Sequence, residues 1–261
     1  MQCTREGRGD YLVLVHGALT DCSMWNDHLE YLTSDFEIVS ITLRCFDESD
    51  VEGFGLNTHA TDLAKLVNEL SKDKSVNIVG WSYGADVVLN ALVKQVLPVS
   101  KAFLYEPGYP GCLQEPHLSA WQLDANKMFG PIFDQLSNDN LEKAVESLVD
   151  GSGNKQGYFQ NQSKAVKALQ LAKSGTLKHQ LNQKEQPLIN TDTISRVSIP
   201  IILGYGEQTR DLFKLVTVRT SELLINAELK EILGESHMLP QEKPKEFAKN
   251  IKSVLSPSTT D

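Results

Sequence analysis

Residues 76–85 read Val-Asn-Ile-Val-Gly-Trp-Ser-Tyr-Gly-Ala, and no other stretch restricts the fold as much. An apolar run rich in β-branched residues predicts a buried strand. It stops at Gly80-Trp81-Ser82-Tyr83-Gly84, after which Val87, Val88, Ala91 and Leu92 recur at helical spacing. Strand, abrupt turn and helix in so few residues put the serine at an apex, in a backbone conformation that most residues avoid. Glycine two positions to either side removes the Cβ atoms that would collide across the turn. Ala85 keeps the next position small. The five-residue pattern is weak by itself, since a Ser-Gly loop can close an ordinary strand, so its meaning depends on the rest of the chain.

The alternation continues on both sides. Residues 11–15 and 36–43 read as strands, and between them Asp21 is placed to cap a helix with Trp25, Leu29 and Leu32 on its apolar face. Thr58 is placed to cap a helix presenting Leu63, Leu66, Val67 and Leu70, and Pro98 is expected to end the helix that follows Ser82. Strands follow at 101–105, 199–204 and 229–233, and the last leads into a helix burying Phe247, Ile251 and Leu255. Strand–helix alternation of this kind implies right-handed crossovers and a mostly parallel sheet flanked by helices, an α/β fold.

With 261 residues, 41% hydrophobic and 23% charged, the chain suits one large domain or a core with an insertion. A net charge of −9 without a basic stripe argues against nucleic acid, and more weakly against an anionic membrane surface. No apolar run reaches the length of a membrane span, and the first residues lack the apolar region of a signal peptide. Cys3, Cys22, Cys45 and Cys112 show neither C-x-x-C nor metal-ligand spacing. Free thiols in a reducing cytoplasm are the expectation.

Taken with what surrounds it, the 80–84 turn resembles the nucleophile elbow of the α/β-hydrolase superfamily. The resemblance spans residues 11–106 and 196–255. His16-Gly17-Ala18, directly after the first of these strands, is similar to the loop that supplies one oxyanion-hole N–H in that family. The resemblance implies Ala18 as that donor and Tyr83, the residue after the serine, as the other. His16 itself reads as a structural histidine beneath the loop. Family members usually place one or two strands ahead of this point, where only about ten residues stand here, so those strands are expected to be shortened or missing. The family's Asp-x-Arg-Gly-x-Gly-x-Ser becomes Thr42-Leu43-Arg44-Cys45-Phe46-Asp47-Glu48-Ser49, keeping Arg44 and Ser49 and losing both glycines; Arg44 reads as structural.

Gly234-Glu235-Ser236-His237-Met238, followed by Glu242-Lys243-Pro244 and then Phe247-Ala248, closely resembles the family's histidine loop and final helix. His237 is therefore the expected general base for Ser82. His28, His59, His117 and His179 have no such context and read as surface or core residues. The third member is less direct. Where the family carries Gly-x-x-Asp after the strand at 199–204, this chain has Gly206-Glu207-Gln208-Thr209, and a hydroxyl cannot stabilise an imidazolium as a buried carboxylate does. Some haloalkane dehalogenases of the same superfamily take the acid from a glutamate at the end of the strand after the elbow. Glu106 occupies that place here and is preferred, with Asp211 and Glu207 as alternatives.

Between residues 107 and 195 strand signals vanish. Turn clusters stand at 109–111, 130–131 and 150–153, with helical stretches at 141–149 behind Asn140 and 165–173 behind Ser163. This segment reads as a helical cap inserted into a core of residues 1–106 and 196–261. Trp81, Trp121, Met128, Phe129, Phe133 and Met238 are the candidate pocket walls, although such residues can equally form a cap's own core. The implied activity is hydrolysis of a small carboxylic ester or lactone through an acyl-enzyme, with a small-molecule substrate and no metal or organic cofactor required. Carbon–carbon bond hydrolysis of a diketone and a catalytically silent small-molecule-binding protein are the alternatives. The sequence leaves the oligomeric state open.

Overall fold

The computed structural model of the chain describes residues 2–46 and 53–256. Seven strands, β1 (Gln2–Gly7), β2 (Asp10–Val15), β3 (Phe36–Thr42), β4 (Val76–Trp81), β5 (Lys101–Tyr105), β6 (Ile201–Gly206) and β7 (Ala227–Ile232), form one sheet. Its spatial order is β1-β3-β2-β4-β5-β6-β7. Only β1 runs antiparallel to its neighbour; every other pairing is parallel.

Among the described residues twelve α-helices are arranged around the sheet. The first three, α1 (Asn26–Leu32), α2 (Leu56–Leu70) and α3 (Tyr83–Lys94), alternate with the strands. Six lie between β5 and β6: α4 (His117–Ser137), α5 (Leu141–Ser152), α6 (Tyr158–Asn161), α7 (Lys164–Ala172), α8 (Thr176–Asn182) and α9 (Thr191–Ile194). The last are α10 (Asp211–Leu223), α11 (Leu239–Glu242) and α12 (Pro244–Leu255). A sheet covered on both faces needs apolar residues on both sides of each strand. Accordingly Tyr11, Val13 and Val15 pack with α2 and α3, while Leu12 and Leu14 enter the opposite core with α1 and α12. Among the described residues no helix is long and apolar enough to cross a membrane.

The residues ahead of β2 do form a strand. β1 pairs with β3 along its length, and its residues 3–7 are exposed, so Cys3-Thr4-Arg5-Glu6 carries no apolar alternation for a reader to find. Several expected boundaries move. The helix after Ser82 ends at Lys94, because Gln95 is already extended, three residues before Pro98. Asp21 caps a short 3-10 turn, Cys22–Trp25, that feeds α1. Gly130-Pro131 is no turn: α4 continues through both residues. Thr58 lies inside α2, whose cap position is Gly55, and the first-turn N–H groups of Asn57 (2.6 Å) and Thr58 (3.1 Å) donate to Oε2 of Glu185 from the distant 183–190 segment. Of the Arg44 loop, Asp47, Glu48 and Ser49 lie outside the described residues. Arg44 makes a two-pronged pair with Asp62, Nε to Oδ2 at 2.9 Å and Nη2 to Oδ1 at 2.8 Å.

Candidate active site

Parallel strands bring their carboxyl ends to one edge of the sheet, and four neighbouring exits carry the site. Ser82 follows β4, Glu106 follows β5, Thr209 sits in the turn after β6, and His237 lies in the loop after β7. The register sets Trp81 opposite Tyr105, and Tyr105 opposite Gly204, so the first two residues past β4 and β5 stand side by side. The ladder runs one step further: Ser82 N–H donates to Tyr105 O at 2.9 Å and Glu106 N–H to Gly204 O at 3.0 Å.

Ser82 has φ 54° and ψ −123°, a strained conformation that costs on the order of 1–3 kcal/mol and turns the chain directly from β4 into α3. The turn is tight enough to explain both glycines. A Cβ at Gly80 would come within 2.8 Å of Ala85 Cα, and one at Gly84 would strike the carbonyl oxygens of Val15 and His16 at the end of β2.

His237 Nε2 lies 3.0 Å from Ser82 Oγ, and its Nδ1 lies 2.6 Å from Oε2 of Glu106. A carboxylate only accepts hydrogen bonds, so Nδ1 carries the proton and Nε2 presents its lone pair to the serine hydroxyl. Glu106 is fully buried and also has a left-handed backbone, φ 52°. Its Oε1 accepts from Gly206 N–H at 2.8 Å, and its Oε2 from Thr209 Oγ1 at 2.6 Å. Asp211 and Glu207 are elsewhere: Asp211 is exposed in the first turn of α10, and Glu207 accepts from Gly234 N–H at 2.8 Å. Of the three carboxylates weighed from sequence, only Glu106 reaches the histidine.

The imidazole is gripped from several sides. Phe213 of α10 stacks on it, centroids 3.9 Å apart and planes 10° from parallel. Trp81 Nε1 donates to the His237 carbonyl at 2.9 Å, and Tyr105 OH donates to Ser236 O at 2.7 Å. His16 has the structural place expected of it. Nε2 accepts from Leu43 N–H at 3.0 Å, which leaves Nδ1–H to donate to Gly17 O at 2.8 Å, and burial lowers its pKa to about 4. His28 and His59 are likewise buried, with pKa values lowered by desolvation to about 3 and about 4; His59 Nδ1 meets Tyr83 OH at 2.8 Å.

Ala18, Ser82 and Tyr83 share a cavity of about 380 Å³ whose other walls come largely from the α4–α8 segment and from α10. Trp121, Met128 and Phe129 line it. Phe133 does not: it is 47% exposed and turned outward, because α4 runs on through Gly130-Pro131 and carries it past the cavity. Trp81 and Met238 line a smaller adjoining cavity of about 30 Å³ with Ser82, His237, Gln170 and Gln241. The α4–α8 segment is fastened to the strand exits by Arg210, which pairs with Asp124 at 2.6 Å and donates to Gly151 O at 3.0 Å. A second fastening is Tyr158 OH, which donates to Glu242 Oε2 at 2.6 Å. Sequence reasoning missed Phe213 and Asp86 and saw Thr209 only as a lost acid. A charged residue in the otherwise apolar start of α3 was the available signal for Asp86.

The model of the Alpha/beta hydrolase family matches residues 12–250, and the chain belongs to that family. Among relatives, the uncharacterized hydrolase YugF of Bacillus subtilis (strain 168) is 23% identical over an alignment 260 residues long that covers 94% of this chain and 89% of that protein. The esterase RhEst1 from Rhodococcus sp. ECU1013 superposes with a TM-score of 0.76 at 17% identity, covering 96% of this chain and 92% of that one. Est816, titled an N-acyl homoserine lactone degrading enzyme, gives 0.73 at 17% identity over 97% and 96%. At such identities the two structures speak for the fold alone; the family and the relative support a hydrolase.

Proposed function

We propose that this chain is a serine hydrolase that cleaves a small carboxylic ester or lactone through an acyl-enzyme, with Ser82, His237 and Glu106 as its triad. The observation that carries the reading is the unbroken hydrogen-bonded chain from Ser82 Oγ through both nitrogens of His237 to a buried carboxylate. His237 Nε2 accepts the serine proton as Oγ attacks the carbonyl carbon, and Glu106 holds the reactive tautomer and offsets the charge of the imidazolium. The N–H groups of Ala18 and Tyr83 receive the oxyanion of the tetrahedral intermediate. His237 then protonates the leaving group, and a water deprotonated by the same nitrogen releases the acid and restores Ser82. The α4–α9 segment serves as a cap whose apolar inner wall receives the substrate. A catalytically silent binding protein would have no reason to keep Ser82 strained and pointed at an oriented imidazole.

Intact-mass analysis after exposure to a fluorophosphonate tests the reading, because the reagent needs only an activated serine and an oxyanion hole. One adduct on the wild type and none on Ser82→Ala is the expected result. An unmodified, folded wild-type protein would overturn it.

A further inference from the structure

Of the described residues lining the large cavity, one is charged, and the proposed mechanism leaves it unused. Asp86 lies one helical turn beyond the nucleophile, its backbone N–H donating to Ser82 O at 3.1 Å. Its carboxylate meets the exit of β5. Oδ1 accepts from Gly108 N–H and Tyr109 N–H, both at 3.1 Å, and Oδ2 takes only the longer limb of the Gly108 contact, at 3.2 Å. A carboxylate has about four acceptor positions, so Oδ2 retains capacity for a donor from the cavity. Met128, Phe129, Ile132, Leu212 and Phe213 of the lining offer it no donor, and among the described residues no side chain of the lining, the amides of Gln180 and Gln183 included, is hydrogen-bonded to it.

A buried acceptor short of donors carries a desolvation cost that an incoming N–H or O–H group relieves. Burial raises the Asp86 carboxyl to about 7, even with two backbone N–H groups pulling it down, which agrees with incomplete compensation. Above about pH 7, where the Asp86 carboxyl is ionised, the same site is hostile to a carboxylate or phosphate on the substrate. No Lys, Arg or His stands among the described lining residues to pair with it, and like charges repel strongly where water is excluded. Ser82 and Asp86 line the same cavity, one turn apart in the chain and joined through the Asp86 N–H to Ser82 O bond. With the carbonyl carbon on Ser82, a donor on the β or γ carbon of the acyl group falls within reach of Oδ2.

We propose that Asp86 is a specificity-determining residue of the pocket, selecting acyl groups that carry a hydroxyl or ammonium donor on the β or γ carbon and rejecting those that end in a carboxylate or phosphate. The inference rests on the Ser82 hydrolase reading. Asp86→Asn is the test, because an amide oxygen at Oδ1 still serves Gly108 and Tyr109 while Oδ2, which takes only the longer limb of the Gly108 contact, becomes an NH2 donor. The probes are the methyl esters of butyrate, 3-hydroxybutyrate and 4-aminobutyrate and the monomethyl ester of succinate, with acid release followed at about pH 8, where the Asp86 carboxyl is mostly ionised. Wild type is expected to favour the donor-bearing esters over butyrate in kcat/KM by about 10- to 100-fold, the worth of one hydrogen bond to a charged group, and to disfavour the succinate ester. In Asp86→Asn the donor preference collapses by a similar factor and the succinate ester gains on butyrate. An active wild type with flat ratios, or a folded Asp86→Asn that keeps them, overturns the inference alone. A wild type inert to all four esters and to a fluorophosphonate overturns the hydrolase reading, and the inference with it. Should the variant not fold, the wild-type ratios decide.

Discussion

Replacing Glu106 by Gln removes one charge and one acceptor from a site where three donors converge. His237 Nδ1 and Thr209 Oγ1 are both 2.6 Å from Oε2, and Gly206 N–H is 2.8 Å from Oε1. An amide offers one oxygen and one NH2, so two arrangements compete. With the oxygen toward His237, the NH2 confronts the Gly206 N–H, two buried donors facing each other at a cost of about 1–3 kcal/mol. With the oxygen toward Gly206, the NH2 donates to Nδ1, the imidazole proton moves to Nε2, and that nitrogen can no longer accept from Ser82. The second arrangement is favoured by about the same amount, which depopulates the reactive tautomer. Loss of the negative charge beside the developing imidazolium adds about 4 kcal/mol at an effective dielectric of about 20 and a charge separation of about 4 Å. The sum, about 5–7 kcal/mol, corresponds to a fall in kcat of about 10⁴- to 10⁵-fold, with KM little changed. Steady-state hydrolysis of p-nitrophenyl butyrate, together with the rate of fluorophosphonate labelling, measures it. A loss below about 100-fold, or a crippling effect of Asp211→Asn or Glu207→Gln, would refute the assignment of the acid.

Thr209→Val removes the hydroxyl bond to Glu106 and should lower kcat about tenfold at constant KM, with Thr209→Ser restoring it; an unchanged kcat would reduce the hydroxyl to packing. Gly84→Ala drives a Cβ into two backbone carbonyls at the end of β2 and should cost about 1–3 kcal/mol or more, a drop of several degrees in Tm; a Tm within a degree of wild type would show that the elbow tolerates the atom. Stability should also fall in acid. His16, His28 and His59 are held by burial to about 4, 3 and 4, so the unfolded chain takes up protons near pH 6.5 that the folded chain refuses. Their contribution is intact above about pH 6.5 and is lost as pH falls toward 4, about 3 kcal/mol for each. Asp86, raised to about 7, acts in the opposite sense and offsets about one of the three. Urea titrations at pH 7, 5.5 and 4.5 test the sign, and a flat profile between pH 7 and 4.5 would contradict it.

The parts of the site that sequence revealed are those in which one backbone constraint forces several neighbouring residue types. The elbow needs a buried strand, two small residues and a helix in fixed order, so Ser82 announces itself within ten residues. The His237 loop is framed by the β7 exit and the α12 pattern in the same way. Long helices with one apolar face, α2 and α12, were visible for the usual reason, a 3.6-residue periodicity. The rest depends on contacts between distant segments. β1 pairs with β3 along its backbone and leaves residues 3–7 exposed, Arg5 reaching sideways to Glu37 (3.7 Å) and the Tyr11 ring. The start of α2 is satisfied by Glu185, more than a hundred residues away, so local capping rules pointed to the wrong residue. Gly130-Pro131 has the composition of a turn, yet α4 packs against α5 and continues through it, and Phe133 is carried outward as a result.

The position of the acid shows how a substitution that looks like damage in one segment can be compensated in the next. β5 and β6 are adjacent and parallel, and Glu106 N–H bonds to Gly204 O, so the two exits open side by side toward the same imidazole. The carboxylate of Glu106, from the β5 exit, is the one that faces Nδ1 of His237, at 2.6 Å. Supplied from β5, it must cross to its neighbour's territory, for which the extra methylene of glutamate over aspartate and the left-handed turn at Glu106 provide the reach. The β6 turn, having no carboxylate at residue 209, supplies donors to the one that arrives: the backbone N–H of Gly206 and the hydroxyl of Thr209. Such donors offset the desolvation of a buried carboxylate. The threonine is therefore the complement of the glutamate, and the two positions should be exchangeable only together. Thr209→Asp alone would press a second carboxylate against Glu106, within 3 Å of the place the hydroxyl now occupies, and one of the two would hold a proton at neutral pH. Paired with Glu106→Gln, the same substitution returns a single acid to the site and should recover part of the lost kcat. A double variant no faster than Glu106→Gln alone would mean that the β6 turn is set for donors and cannot present a carboxylate to His237.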